Sequence, residues 1–293
     1  MPDINGLLVL DKPSGITSRA AVDCAQAWFP KKTRIGHTGT LDPLASGVLV
    51  LCIGVATRLT EYVQRMPKVY RAGITLGATS DTDDADGTIT STPDTGVPTR
   101  EQVEQELAAF LGEIEQVPPA YSAAKVAGRW AYALARTGKE FDLAPRHVEI
   151  HGIELVRYAY PHLEIVVRCG KGTYIRSLAR DLGQRLGCGG YIDALRRLSI
   201  GAFTDAEAIS LDADATTARA RLLPVWRAVQ ETMPLTLSDA EAAKLARGQR
   251  IAAPAGLAAD REFAVTDRAG GFLAVVTILD GWMRPHKVLC EHY

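Results

Sequence analysis

Apolar and polar positions repeat with two different periods along the chain, and the switches between them mark its elements. GLLVLDKPSG opens with a short apolar run, Leu7 to Leu10, that reads as a buried strand entering a Pro-Gly turn. After it Ser18 is placed to cap a helix whose inward positions are Val22, Ala25 and Phe29. RIGHTGTLDPLASG is too rich in glycine and proline for a helix and reads as a loop, followed by GVLVLCIG, a continuous apolar run expected to be a strand covered on both faces. KVYRAGITLGAT and DGTITSTP read as a strand pair joined by the acidic turn SDTDDADG. Thr99 with Gln102 forms a capping box before a helix whose stripe is Val103, Leu107, Phe110 and Leu111. Residues 147 to 169 read as two strands, and KGTYIR turns from the second into a helix with Leu178, Leu182 and Leu186 at spacing four.

Strands and helices therefore alternate irregularly. That pattern predicts an α+β domain on a largely antiparallel sheet rather than a doubly wound one. A boundary is expected near residues 224 to 238, where Pro224 and Pro234 punctuate the chain. Beyond it a short helix (239 to 246) precedes EFAVTD, GFLAVVTIL and HKVLC, short glycine-separated strands of the kind that build a small β-barrel. The division predicted is a first domain over 1–230 and a second over 235–293.

Length and composition narrow the function classes. With 293 residues, 47% of them hydrophobic, the chain can bury at least one sizeable core. No apolar run reaches the roughly 20 residues of a membrane span, and acidic Asp3 stands where a signal peptide would be positive, so a cytoplasmic protein without membrane contact is expected. Five cysteines with no C-x-x-C pair support neither a disulfide framework nor a zinc site. Net charge is −1, but unevenly spread: residues 168 to 201 hold seven Arg and Lys against two Asp, and residues 202 to 293 hold ten against twelve acidic residues.

Four segments could carry chemistry. Asp42, fixed by flanking glycines and Pro43, can be a nucleophile, a general base or a turn former, and His37 can be a catalyst or an ordinary hydrogen-bonding residue. DTDDADG departs from the calcium-loop template, with Ala85 and Asp86 where a ligand and a glycine belong, so an exposed acidic turn is expected and no metal site. Tyr174 and Arg176 lie two apart, as if sharing one face at a strand end. VPPAYSAAKVAGRWAYALARTGKEF mixes aromatic rings with Lys125, Arg129, Arg136 and Lys139, an interleaving suited to stacking RNA bases and attracting phosphates, or to an ordinary basic surface helix.

Taken in order, NGLLVLDKPSGITS, RIGHTGTLDPLASGVL, KVYRAGITLGATSDTDDADG, PPAYSAAKVAGRWAYALARTG, KGTYIRSLARDLG and LRRLSIG resemble the successive motifs of the TruB family of tRNA pseudouridine synthases. The resemblance covers about residues 4 to 201. It implies isomerisation of uridine to pseudouridine in the TΨC loop of tRNA, at the position numbered 55, without cofactor or metal. It also implies the pseudouridine synthase fold, with a long mainly antiparallel sheet and a C-terminal PUA-like RNA-binding domain. By the same resemblance Asp42 is the catalytic carboxylate and His37 displaces or holds the flipped nucleotide. Tyr70 stacks on the uracil, Tyr174 and Leu195 complete its pocket, and Arg176 pairs with Asp42, while Lys12 and Pro13 are structural. Lys125, Arg129, Arg196 and Arg197 are phosphate candidates on charge and position. The partner expected is the TΨC stem-loop of tRNA, with no obligate protein partner and a monomeric chain. A noncatalytic RNA-binding protein and a glycosidase-like hydrolase are the competing classes, the latter needing a second carboxylate that RIGHTGTLDP and KGTYIR do not supply.

Overall fold

The computed structural model describes residues 4–92, 96–122, 124–126, 128–135, 137, 141–254, 256–259 and 261–289. Arg136, Lys139 and Cys290 lie outside them. A mainly antiparallel sheet dominates, in the strand order Gly6–Lys12, Ser46–Ile53, Gly190–Ile200, Lys68–Leu76, His162–Cys169, Arg146–Ala159, Gly112–Gln116. Two short strands, Ile35–His37 and Phe203–Thr204, attach off this path, so the start of RIGHTGTLDP is paired strand rather than loop.

Continuous apolar runs become strands here because both faces need covering. In Gly6–Lys12, Leu8 and Leu10 face one core while Leu7 and Val9 face another, and Ser46–Ile53 divides likewise into Leu49, Leu51 and Ile53 against Val48, Val50 and Cys52. The first core is closed by the helices Ser18–Ala25, Arg100–Ala108 and Ile175–Arg185. One pairing within this sheet is parallel, Arg196 with Ser46 and Arg197 with Gly47. Gly47 is required there: its φ is +100° and a Cβ would overlap the Arg197 carbonyl.

Several local expectations are corrected. The helix N-cap is Thr17, whose side chain accepts from Ala20 N, which leaves Ser18 free for another role. The capping box at Thr99 forms, but Leu111 lies past the helix end and is 49% exposed. Tyr174 and Arg176 do not end a strand, since Tyr174 is the N-cap of Ile175–Arg185 and Arg176 sits in its first turn. The acidic turn connects Ala78–Ser80 to Ile89–Ser91, and its two central carboxylates are not exposed: Asp83 and Asp84 fold back onto the helix Ile175–Arg185. The physical reason lies about ninety residues away in sequence, in Arg176 and Arg180.

After Pro224 the chain forms a second sheet, in the order Met233–Thr236, Glu262–Thr266, Phe272–Leu279, Trp282–Val288, Ile251–Ala252, with the helix Asp239–Ala246 against it. The strand path stays open, a curled half-barrel in place of a closed one. One side packs its own core around Phe263, Val265 and Val276, while Ala264, Val275 and Leu289 join the core that contains Leu7 and Val9.

Candidate active site

The loop carrying Asp42 is held at nearly every residue. Ser18 Oγ donates to Leu41 O at 2.9 Å and accepts from Leu41 N at 2.7 Å. Gly15 N donates to Pro43 O at 2.8 Å, Ser14 Oγ to Leu44 O at 2.8 Å, and Ala45 N back to Asp42 O at 3.1 Å. Lys12, fully buried, places Nζ 2.8 Å from Pro13 O, 2.7 Å from Ile16 O and 3.5 Å from Pro43 O. Burial lowers its pKa to about 8, with Asp42 opposing that shift. KPSGITS is thus the cradle of DPLAS. Such constraint matters because a misplaced reacting group loses orders of magnitude in rate.

Arg176 orients the carboxylate itself. Its side chain is 5% exposed; Nη1 donates to Thr82 O at 3.0 Å, Nη2 donates to Tyr121 O at 2.8 Å, and Nη1 forms an ion pair with Asp84 Oδ2 at 3.1 Å. Nε lies 3.0 Å from Asp42 Oδ2 without the alignment of a hydrogen bond, so this contact is an ion pair. Asp42 remains 34% exposed in its side chain and can meet a ligand. Burial raises its pKa above the usual carboxylate value, Arg176 opposes the rise and Asp84 adds to it. Gln116, 1% exposed, fixes the helix start by accepting from Tyr174 N at 2.8 Å and donating to Tyr174 O at 3.0 Å.

Asp42 stands where two cavities meet. One, of about 400 Å³, is lined by Asp42, Lys68, Tyr70, Tyr174, Leu195 and Arg197 among others. The other, of about 680 Å³, is lined by His37, Asp42, Tyr121, Trp130, Tyr132 and Asp86 among others. The smaller has one aromatic wall and one buried cationic wall, the setting for a planar polar ring. Tyr70 OH lies 3.5 Å from Arg197 Nη1, and burial raises the phenol's pKa against the pull of Arg197, which keeps it protonated. Burial, then Arg197 and Arg19, lower the pKa of His37 below the usual imidazole value, and its buried Nδ1 has no partner.

Comparison with known proteins decides what kind of site this is. Residues 27–175 match the family model of the TruB family pseudouridylate synthase N-terminal domain, and residues 176–229 that of the tRNA pseudouridylate synthase B C-terminal domain. The tRNA pseudouridine synthase B of Azoarcus sp. (strain BH72) is 43% identical over 291 residues, covering 98% of this chain and 95% of that one. The enzyme of the same name from Chromohalobacter salexigens is 40% identical over 293 residues, covering 98% and 94%. The chain belongs to the TruB family of pseudouridylate synthases. It is therefore an isomerase. Two solved structures share the fold of this TruB-family chain. An H/ACA RNP bound to a substrate RNA containing 2'-deoxyuridine matches at TM-score 0.75 and 23% identity, over 98% of this chain and 85% of that one. A Cbf5-Nop10-Gar1 complex matches at 0.76 and 24%, over 97% and 84%.

Within this TruB fold, seven of the site residues singled out in the sequence line the two cavities at Asp42: Asp42, His37, Tyr70, Tyr174, Arg176, Leu195 and Arg197. The four phosphate candidates separate. Lys125 and Arg129 are exposed on the two-stranded hairpin Lys125–Val126/Arg129–Trp130. Arg196 and Arg197 point to opposite faces because neighbours on a strand alternate. Arg196 is partly exposed and bound to Asp11 at 2.8 and 3.1 Å. Arg197 is 1% exposed and donates to Val48 O at 2.7 Å and Gly39 O at 3.1 Å, which makes it part of the cavity wall rather than of the exposed surface.

Three site residues were missed in the sequence: Lys68, Asp84 and Gln116. Lys68, 7% exposed, donates to Gln64 O and Met66 O and has its pKa lowered to about 8 by burial and then Arg197. Its spacing of two from Tyr70 on a strand was the available signal. Asp84 had none, since its partner is Arg176.

Proposed function

We propose that this enzyme isomerises uridine 55 in the TΨC loop of tRNA, with Asp42 as the catalytic carboxylate and the target base flipped into the smaller cavity. The observation that carries the reading is Asp42, the one carboxylate among the described residues lining the smaller cavity, fixed by a cradle and an arginine and still 34% exposed in its side chain. The N1–C1′ bond of the nucleotide breaks, the uracil turns, C5 bonds to C1′, the C5 proton leaves and N1 takes one up. No electron leaves the substrate, so no redox partner is required. Asp42 adds to the sugar or base, or removes a sugar proton. Tyr70 lies under the uracil ring, with Tyr174 and Leu195 around it, and Arg176 keeps Asp42 oriented. His37 takes part in displacing the base, an extrusion that costs a few kcal/mol and is offset by new stacking.

In the same reading the chain acts as a monomer in the cytoplasm, and residues 235–293 form an RNA-gripping domain beside a catalytic domain of residues 1–230. The test is incubation of a uridine-containing tRNA transcript with wild type and with Asp42→Asn. Wild type should yield pseudouridine at one site, with RNA mass unchanged. The variant should yield none while binding tRNA within about tenfold, because shape is kept and only the charge is lost. Loss of uracil mass would assign a hydrolase, and turnover by Asp42→Asn would remove Asp42 from the chemistry.

A further inference from the structure

Resting on that reading, we propose that Lys68 and Arg197 form an anion hole in the wall of the smaller cavity, stabilising the negative charge that the target uracil takes on as its bond to the sugar is broken. The cavity holds more positive charge than a neutral base needs. Among the described residues its lining sets Lys68, Lys171, Arg176 and Arg197 against the carboxylate of Asp42, and Arg176 is already paired with Asp42 and Asp84. Lys68 and Arg197 are 7% and 1% exposed, and neither is in an ion pair among the described residues. Each has donors to spare. An ammonium has three N–H groups, of which Gln64 O and Met66 O take two, and a guanidinium has five, of which Val48 O, Gly39 O and Tyr70 OH take three. Burial and then Arg197 lower the pKa of Lys68 to about 8, as befits a cation kept from water without a counter-ion, and at neutral pH it remains protonated. Thr38 adds an orphan to the same lining. Its residue is 0% exposed and its Oγ1 meets no partner among the described residues, so the hydroxyl is free to donate to a carbonyl of the ring.

Every route open to Asp42 puts negative charge on the ring. If the carboxylate adds to C1′ or removes the C2′ proton, the electron pair of N1–C1′ leaves with N1 and spreads over O2 and O4. If it adds to C6 of the base, the pair of the C5–C6 double bond moves onto C5 and O4. When C5 bonds to C1′ the pair goes back, and Asp42 is released or returns its proton. The C5 proton is then lost and N1 gains one, so the ring ends neutral. Charge exists only between the two bond changes, and buried cations beside it favour that interval over the bound substrate. The symmetry of uracil lets one pair of cations serve both halves of the reaction. A half-turn about the N3–C6 axis exchanges N1 with C5 and O2 with O4, so a carbonyl oxygen stands at the same place before and after.

The experiment uses the full chain in single turnover on stem-loop RNAs carrying uridine or 5-fluorouridine at the target, with loss of the parent nucleoside followed in nuclease digests. Fluorine at C5 draws electrons from the ring and makes it a better leaving group, so its departure depends less on outside charge. Lys68→Gln keeps an amide donor for the turn carbonyls and removes the charge. It should slow the uridine RNA by roughly a hundredfold, the scale of one lost donor at a developing charge, and the fluorinated RNA by about tenfold or less, with RNA affinity kept within about twofold. Lys68→Arg should recover most of the rate. Equal slowing of both RNAs, an intact rate, or a loss seen only in affinity each overturns the anion hole. A second arm needs wild type alone, and so holds even where Lys68→Gln fails to fold. Barbituric acid C-linked to ribose at the target presents a uracil-like ring with a delocalised negative charge at neutral pH, and that RNA should bind at least about tenfold tighter than the one carrying neutral pseudouridine. Equal or weaker binding overturns the inference. A wild-type protein that leaves uridine unchanged defeats the functional reading as well, whereas normal wild-type turnover with equal slowing of both RNAs by Lys68→Gln defeats the inference alone.

Discussion

Asp42 owes its charge state to groups that need not touch a substrate. Burial favours its protonated form and Asp84 reinforces that, while Arg176 and Lys12 favour the ionised form. Only the ionised carboxylate can attack or take a proton, so turnover should fall as pH drops through its raised pKa, giving an acid limb above the usual carboxylate range. Asp84→Asn removes one of the charges that raise it, so the limb should move to lower pH in single-turnover rates. A limb that stays in place would mean that another group limits the acid side. The charged residues nearby divide by burial. Lys125→Ala and Arg129→Ala should each make the slope of log affinity against log salt shallower by about one unit or less. Arg197→Ala should instead lower stability, because Val48 O and Gly39 O lose a buried donor. Asp42, Tyr70 and Arg176 were legible from their motifs, since each lies in a short stretch whose residue types and order resemble a known family. Asp84 and Gln116 were not, since their roles are defined by Arg176 and Tyr174, which lie some sixty to ninety residues further along the chain.

At the scale of elements, the site is a contact between two loops and a helix start. KPSGITS follows one strand, DPLAS precedes the strand paired with it, and the antiparallel register of Lys12 with Gly47 brings the two loops to the same end of the sheet. Ser18 joins them. Its hydroxyl both donates to and accepts from Leu41, and it is 1% exposed, so Ser18→Ala leaves a buried N–H and C=O unpaired. The expected cost is about 1–3 kcal/mol in denaturant unfolding. Because the freed residue precedes Asp42, kcat should fall more than KM rises. An unchanged kcat in a destabilised variant would show that the loop is held well enough by Lys12 and Gly15. The strands and the capped helix at Thr99 could be read from periodicity because their signals are local. The cap at Thr17 and the folded acidic turn could not. In the first, two adjacent hydroxyls compete and tertiary contact with Leu41 selects Ser18 for the loop; in the second, a carboxylate run looks solvated until its arginines are placed.

The molecule as a whole is joined more tightly than a proline-marked linker suggested. Ala264, Val275 and Leu289 of the C-terminal sheet share a core with Leu7, Val9 and Ile200 of the large sheet. Around that contact Glu262 meets Tyr62 OH and Arg65 at 3.0 Å each, Lys287 meets Glu61 at 3.1 Å, and Arg58 donates to Val288 O at 2.6 Å. The ion pairs are partly exposed and add little by themselves, so the shared apolar core should dominate the coupling. Full-length protein should then unfold in one transition by heat, with near-ultraviolet and far-ultraviolet dichroism coinciding. Removing residues 235–293 uncovers the apolar side of that core, so the remainder should melt at lower temperature and bind a hydrophobic dye. Kinetics separate this structural debt from RNA contact. At a temperature where the truncated protein stays folded, a stem-loop too short to reach the missing sheet should be turned over at saturation almost as by the full chain, while KM for whole tRNA rises, since remote contacts chiefly supply uniform binding. A truncated, folded protein that cannot turn over saturating stem-loop would place the contribution of the C-terminal sheet within the catalytic step.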